Sequence, residues 1–265
     1  MVYNKNRKTG KEDFMKALIT GASSGIGKQM AYVLAEQGWD LILVARRTGL
    51  LEELAKELNN NCCVITADLG KAEECRRLYE QTKEEKIDLL INNAGFGLFG
   101  EFAETDLERE EAMIDLNIKA VHILTKLFLK DFMARNSGRI LNVASIAGFA
   151  PGPLMAAYYA SKSYVLRLDL ALREELRRCG SKVTVSTLCP GPVDTEFNSV
   201  AGASFDLPGV SSRQVAEYAV KNTLKGKAVI LPGTMMKLAR IGTKLLPAGL
   251  VARVVYLLQS KKGGK

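Results

Sequence analysis

Seven short apolar runs rich in β-branched residues, each followed by a longer amphipathic stretch, leave few folds open to this chain. Strands of that kind, buried on both faces and separated by crossover helices, form a parallel sheet. The runs are Lys16 to Thr20, Asp40 to Ala45, Cys63 to Thr66, Asp88 to Asn92, Arg139 to Ala144, Lys182 to Leu188 and Ala228 to Leu231. The helical patterns between them are Gly25 to Gln37, Leu50 to Leu58, Lys71 to Glu84, Leu107 to Met133, Ala157 to Arg178 and Ser211 to Leu224. The expected fold class is α/β, a Rossmann-like doubly wound parallel β-sheet with helices on both faces.

No repeat or linker divides the chain. The polar residues 1 to 14, ahead of a second methionine at Met15, read as an extension outside the fold, and residues 15 to 265 as one domain. That domain carries a lid at about 193 to 212 and a C-terminal helical segment at about 234 to 260. The N-terminal stretch lacks an apolar core for a secretory signal, and no apolar run reaches the ~18 residues of a membrane span. Five cysteines without metal or disulfide spacing read as core thiols in a reducing compartment, so the expected location is cytoplasmic. The single histidine, His122, removes a His-based triad and any multi-histidine metal site, and reads as packing on a buried helix face.

Charge is unevenly placed. The formal net charge is +8, yet ten Lys and Arg and no acid follow Glu217, which leaves the rest slightly acidic. Basicity confined to one end argues against a nucleic-acid partner. The expected reading of the basic C-terminal helix is packing on the domain or on a subunit, with contact to a membrane surface the less favoured alternative.

Doubly wound sheets bind ligands beyond the carboxyl ends of their strands, so the residues after each strand carry the functional argument. The first strand runs into Gly21-Ala22-Ser23-Ser24-Gly25-Ile26-Gly27 and then a helix. Such a turn brings backbone N–H groups and a positive helix end to a pyrophosphate. After the second strand stand Arg46 and Arg47 where a 2′-OH-binding carboxylate is often found. A guanidinium there favours a 2′-phosphate, hence NADP(H), with Arg46 as the expected reader. Asp68 after the third strand reads either as an acceptor for adenine or as a helix N-cap. Asn92-Asn93-Ala94-Gly95 after the fourth reads as a loop under a dinucleotide or an ordinary turn.

Ser145 ends the fifth strand, and Tyr158 and Lys162 stand four apart in the next helix. That spacing puts phenol and ammonium on one face, which reads either as a packed ring with a snorkelling amine or as a cation lowering the tyrosine pKa toward general acid/base work; Tyr159 points elsewhere.

Taken together, Thr20-Gly-Ala-Ser-Ser-Gly-Ile-Gly27, Asn92-Asn-Ala-Gly95, Ser145, Tyr158-x-x-x-Lys162 and Pro190-Gly191 resemble the short-chain dehydrogenase/reductase family over roughly Met15 to Asn198. The resemblance implies a catalytic tetrad. Tyr158 exchanges a proton with the substrate oxygen, and Ser145 hydrogen-bonds it. Lys162 tunes Tyr158 and holds the nicotinamide ribose, and Asn117 supports a water relay. It also implies cofactor contacts from Gly21, Ser23, Ser24, Gly25, Ile26, Gly27, Arg46, Asp68 and Asn93, and from Val193 and Thr195 at the carboxamide, with no metal. Ser145 and Tyr158 are the expected substrate contacts, and a homodimer or homotetramer is the family expectation.

Phe96, Phe99, Phe149, Pro151, Pro153, Leu154 and Met155, with Phe197, Phe205 and Leu207 in the lid, suggest an apolar substrate. The C-terminus is similar to the hydroxysteroid dehydrogenase and lipid carbonyl reductase branch. The expectation is therefore an NADP(H)-dependent oxidoreductase of a bulky apolar ketone or secondary alcohol, possible substrates including a hydroxysteroid. A 3-oxoacyl-thioester reductase is the alternative enzyme, and a non-catalytic NADP(H)-sensing protein the alternative of another class.

Overall fold

The computed structural model describes residues 2–4, 15–58, 60–197, 201–202 and 210–260. Eight strands form one sheet: β1 (Val2–Asn4), β2 (Lys16–Thr20), β3 (Asp40–Ala45), β4 (Cys62–Thr66), β5 (Leu89–Asn92), β6 (Arg139–Val143), β7 (Thr184–Leu188) and β8 (Val229–Ile230). Their order is β1-β4-β3-β2-β5-β6-β7-β8, and all pairs except β1 with β4 are parallel. The sequence reading left residues 1 to 14 outside the fold. Val2–Asn4 instead pairs antiparallel with β4, Val2 opposite Val64. β4 is the edge of the parallel sheet, and its free backbone groups accept a strand without any need for an apolar pattern in that strand.

Alternate residues of each parallel strand feed opposite layers. In β2 and β3, Ala17, Ile19, Leu41 and Leu43 join one core, and Leu18, Ile42 and Val44 the other. The first core is closed by Met30 and Leu34 of α1 (Gly25–Glu36), Leu51 and Leu54 of α2 (Thr48–Glu57), and Val215 and Ala219 of α7 (Ser212–Leu224). The second is closed by Cys75 and Leu78 of α3 (Ala72–Thr82), Phe128 and Phe132 of α5 (Val121–Ala134), and Leu176 of α6 (Ala156–Arg178).

The predicted helix from Leu107 to Met133 is two helices, α4 (Leu107–Ile114) and α5, joined by a π-helical turn over Asp115–Ala120. The wider turn rotates the start of α5, so His122 faces out, where its Nδ1 meets the Tyr164 hydroxyl at 2.7 Å, and it does not pack inside. Four cysteines are buried as expected, whereas Cys179 at the end of α6 is exposed. The C-terminal segment is also two helices, α8 (Thr234–Leu245) and α9 (Ala248–Ser260), separated at Pro247, which cannot continue a helix.

Candidate active site

The chain leaves β2 toward β3 on one side and returns to β5 on the other, so a crevice opens at the carboxyl ends of β2 and β5. Thr20 and Asn93 stitch its floor. The buried Thr20 hydroxyl accepts from the Asn93 and Ala94 amides at 2.9 and 3.1 Å, and the Asn93 side-chain amide donates to the Thr20 and Gly21 carbonyls at 3.0 and 3.1 Å. Gly21 has φ +64, and a Cβ there would lie 2.9 Å from the Ala94 backbone, so only glycine fits this approach. Gly27 lies beneath, against Asn93, and does not line the crevice.

The crevice is a cleft of about 580 Å³. It gathers the expected Gly21, Ser23, Ser24, Gly25, Ile26, Arg46, Asp68, Asn93, Ser145, Tyr158, Lys162, Val193 and Thr195 from six strand ends and from helix α6. At one end, Ser24 precedes α1 with no side-chain cap on the helix, leaving the helix amides directed at the cleft. Asp68 is not the N-cap of α3, which is Lys71; its carboxylate accepts from the Gly70 amide at 3.3 Å, closing a tight turn at the cleft wall.

Arg46 and Arg47 both line this end, and they differ. Among the described residues Arg46 makes no hydrogen bond or ion pair, and it is exposed. Arg47 Nη2 donates to Ser23 Oγ at 3.1 Å, Ser24 Oγ at 2.9 Å and Glu196 Oε2 at 2.9 Å. It thus ties the glycine turn to the loop after β7. The sequence reading favoured Arg46 and named neither the Arg47 bridge nor Glu196, because the direction of two adjacent side chains at a strand end is set by the backbone turn.

At the other end, β6 stops at Val143 and Ser145 caps a 3₁₀ turn over Ile146–Phe149, its hydroxyl accepting from the Ala147 amide at 3.2 Å. Tyr158 and Lys162 lie on the inner face of α6, both nearly fully buried. Lys162 Nζ donates to the Val143 carbonyl at 2.9 Å and lies 5.8 Å from the Tyr158 ring centre. Burial pulls the Lys162 ammonium down to about 8. Burial likewise raises the Tyr158 phenol, against a lowering hydrogen bond from Ser145. The expected depression of the Tyr158 pKa by Lys162 is therefore not what the structure gives. Desolvation outweighs the Ser145 hydrogen bond, and the phenol is held in its neutral, proton-carrying form.

Asn117 is fully buried in the π-turn and does not line the cleft. It clamps the strand-end loop: its amide donates to the Phe96 carbonyl at 2.8 Å and its oxygen accepts from the Phe96 amide at 3.1 Å. A Cβ on Gly95 would sit 2.7 Å from Asn117 Oδ1 and 3.4 Å from Lys162 Nζ, so that glycine admits both side chains behind the loop.

Phe96, Met155 and Phe197 of the expected apolar set line the cleft, the Phe197 ring centre 5.5 Å from that of Tyr158. Phe149, Pro151 and Pro153 face a separate depression beside Tyr159, and Phe205 and Leu207 lie outside the described residues. Gln259 is a wall residue that the sequence does not mark. Gln259, 3% exposed in α9, donates from Nε2 to the Tyr159 hydroxyl at 2.7 Å, and its Oε1 has no partner among the described residues. No motif marks a pairing 100 residues apart.

The residues present fit a dinucleotide. The uncapped helix end and close-packed glycine turn suit phosphates, the unpaired Arg46 suits an additional anion, and one continuous cleft is lined by both Arg46 and Tyr158.

Comparisons with known proteins agree with this geometry. A family profile described as short chain dehydrogenase matches residues 15–204. An uncharacterized oxidoreductase of Staphylococcus saprophyticus is 37% identical over 213 residues, 77% of this chain and 90% of the relative. A short-chain dehydrogenase from Sphingobium yanoikuyae, solved in complex with NADPH, superposes with a TM-score of 0.78 at 31% identity, covering 88% of this chain and 97% of that one. The bulky-bulky ketone specific alcohol dehydrogenase from Comamonas testosteroni superposes at 0.75 with 29% identity, covering 89% and 96%.

Proposed function

We propose, from the premise that this chain belongs to the short-chain dehydrogenase family and is an oxidoreductase, that it is an NADP(H)-dependent reductase of a bulky apolar ketone, working reversibly on the secondary alcohol. The observation that carries the reading is that one cleft joins the glycine turn and arginine pair to Ser145, Tyr158 and Lys162 under an apolar wall.

NADPH, when bound, supplies the hydride. The protein's part is orientation and the proton. Ser24, Gly25 and the α1 amides would hold phosphates, and Arg46 would read the 2′-phosphate as a charge-assisted donor while Arg47 ties the glycine turn to the Glu196 loop. Asp68 lies at the adenine end, and Ile26, Val193 and Thr195 wall the remainder. Lys162, still mostly charged near neutrality with its pKa pulled down to about 8, lies beside Tyr158 and would hold the nicotinamide ribose. Tyr158, kept neutral by burial, gives its proton to the substrate oxygen, which the Ser145 hydroxyl holds. Asn117, through its grip on Phe96, fixes the loop behind Lys162 where a water relay would pass. Phe96, Met155 and Phe197 exclude water and favour an apolar group beside the carbonyl.

The cofactor preference has support from the two arginines and from the NADPH complex of the Sphingobium relative. The bulky-ketone reading has support from the apolar wall and from the printed specificity of the Comamonas enzyme. The test is nicotinamide absorbance with NADPH or NADH and a panel of steroid ketones, 3-oxoacyl thioesters and small ketones, for wild type and Tyr158→Phe. NADPH oxidation with bulky ketones, lost in Tyr158→Phe with cofactor affinity kept, is the expected result. Turnover of thioesters alone would make the chain an acyl reductase. Cofactor binding without turnover of any compound would favour a sensing role.

A further inference from the structure

We infer that helices α8 and α9 form a docking surface for an anionic lipid bilayer, on which the protein lies peripherally. The inference rests on the surface of these helices and does not require the catalytic reading.

α8 buries no side chain. Met235, Leu238, Ile241 and Leu245 recur at three- and four-residue spacing on one side of it, exposed by 68, 68, 53 and 77%. Leu246 follows in the turn, and α9 carries a second row, Leu250, Val254 and Leu257, again on one face of a helix and again exposed. The opposite sides are occupied. Met236 and Arg240 turn α8 inward, Met236 against Gly191 and the Arg240 guanidinium 5.1 Å from the Phe149 ring centre. Val251 and Gln259 turn α9 inward. The outward apolar row is therefore not a packing face viewed from the wrong side; the packing face is already in use.

An apolar row of this length on a water-facing surface marks a partner. Charge identifies which. Lys237 and Lys244 flank the row on α8 and Arg253 stands on α9, with Lys261, Lys262 and Lys265 next in the sequence, and no acidic residue occurs after Glu217. A two-fold contact between copies would bring this face onto itself, cation against cation, with no carboxylate on it to pair. A bilayer of anionic lipids supplies both complements at once: acyl chains for the leucines and phosphates for the lysines. No helix among the described residues is long and apolar enough to cross a membrane, so the contact lies in the interface plane. The expectation from sequence is packing on the domain or on a subunit, and packing on the domain engages only the inner side of each helix.

The experiment is vesicle flotation of the full chain, with phosphatidylcholine alone and with phosphatidylglycerol mixed into phosphatidylcholine, alongside sedimentation velocity without lipid. Wild type is expected to float with the anionic vesicles and to be released by high salt. The double variant Leu238→Glu/Leu245→Glu, altered only at exposed positions, is expected to lose partitioning by tenfold or more while its thermal melt stays unchanged. Lys237→Glu/Lys244→Glu is expected to lose roughly tenfold on anionic vesicles only. Wild type remaining unbound to both vesicles would overturn the inference. So would a lipid-free dimer that Leu238→Glu/Leu245→Glu dissociates while wild type ignores vesicles, since a second copy then covers the row. Equal binding to neutral and anionic vesicles, indifferent to the lysine variant, would overturn the role given to charge and with it the proposal as stated.

Discussion

Gln259 donates to the hydroxyl of Tyr159 at 2.7 Å, joining the last described helix to the residue next to the proposed proton donor. The two tyrosine rings stand edge to face with centres 6.2 Å apart, so α9 is fastened to the substrate end of the cleft through a single amide. The unpartnered Oε1 of that amide is a costly group to bury unless something meets it. Gln259→Leu removes the tether and the orphaned oxygen together. The expected outcome in steady-state kinetics is a severalfold change in KM for bulky ketones, with kcat and NADPH affinity within about twofold, a split between binding and chemistry. An equal fall in kcat and cofactor affinity would mean that α9 supports the whole cleft and not its substrate end.

Burial pulls the Lys162 ammonium down to about 8. A lowered ammonium pKa means that the charge is present below pH 8 and lost as pH rises through it. If the charged form is the working one, the rate of carbonyl reduction falls about tenfold per pH unit above that point. Lys162→Arg keeps its charge throughout and should abolish that limb at a cost in kcat, since a guanidinium cannot reproduce the bond to the Val143 carbonyl and the space beside Gly95. A pH profile of kcat for the two proteins checks this. An unchanged alkaline limb in Lys162→Arg would assign it to another group.

The sheet was legible because parallel strands buried on both faces read as uninterrupted apolar runs, and six strand ends together with helix α6 carried the motif residues that the cleft gathers. The features hidden from the sequence have common physical causes. The π-turn at Asp115–Ala120 changes the period within one apolar stretch, so His122 was assigned the wrong face. The edge strand Val2–Asn4 is held by backbone bonds to β4, which leave no side-chain pattern. The Tyr158 pKa comes from burial on all sides, which helical spacing to Lys162 cannot convey. The fate of the C-terminal leucines depends on what covers them, and amphipathic spacing is the same in either case.

Arg46 and Arg47 divide one task. Arg47 is already engaged with Ser23, Ser24 and Glu196, whereas Arg46 is exposed and unpaired at the mouth of the same end. Arg46→Ala is expected to weaken NADPH by roughly tenfold with little effect on NADH, the loss of one charge-assisted contact of about 1.5 kcal/mol. Arg47→Ala should weaken both cofactors, because it also frees the glycine turn from the Glu196 loop. Titration of each variant with the two reduced cofactors separates the roles. Equal losses for NADPH and NADH in Arg46→Ala would remove it as the 2′-phosphate reader.

Asp169 lies behind the site, fully buried, with Asn142 Nδ2 at 2.6 Å and Thr187 Oγ1 at 2.8 Å from its two oxygens. Burial pushes its carboxyl up to about 7, against the lowering effect of those two bonds. The folded protein therefore keeps a proton that the unfolded chain releases near pH 4. Its contribution to stability is full below about pH 4, declines as pH rises, and is gone above pH 7, the slope being negative wherever the native state binds the extra proton. At roughly 1.4 kcal/mol per unit of displacement, the decline amounts to about 4 kcal/mol at most. Asp169→Asn presents a neutral amide at every pH, able to accept from Asn142 and donate to the Thr187 hydroxyl. In urea melts at pH 5 and pH 8, wild type is expected to lose stability at the higher pH and the variant to lose much less. If the variant were destabilised equally at both values, the carboxyl would be held as an anion by its three neighbours, Asn142, Thr187 and Arg173, and the burial argument would fail.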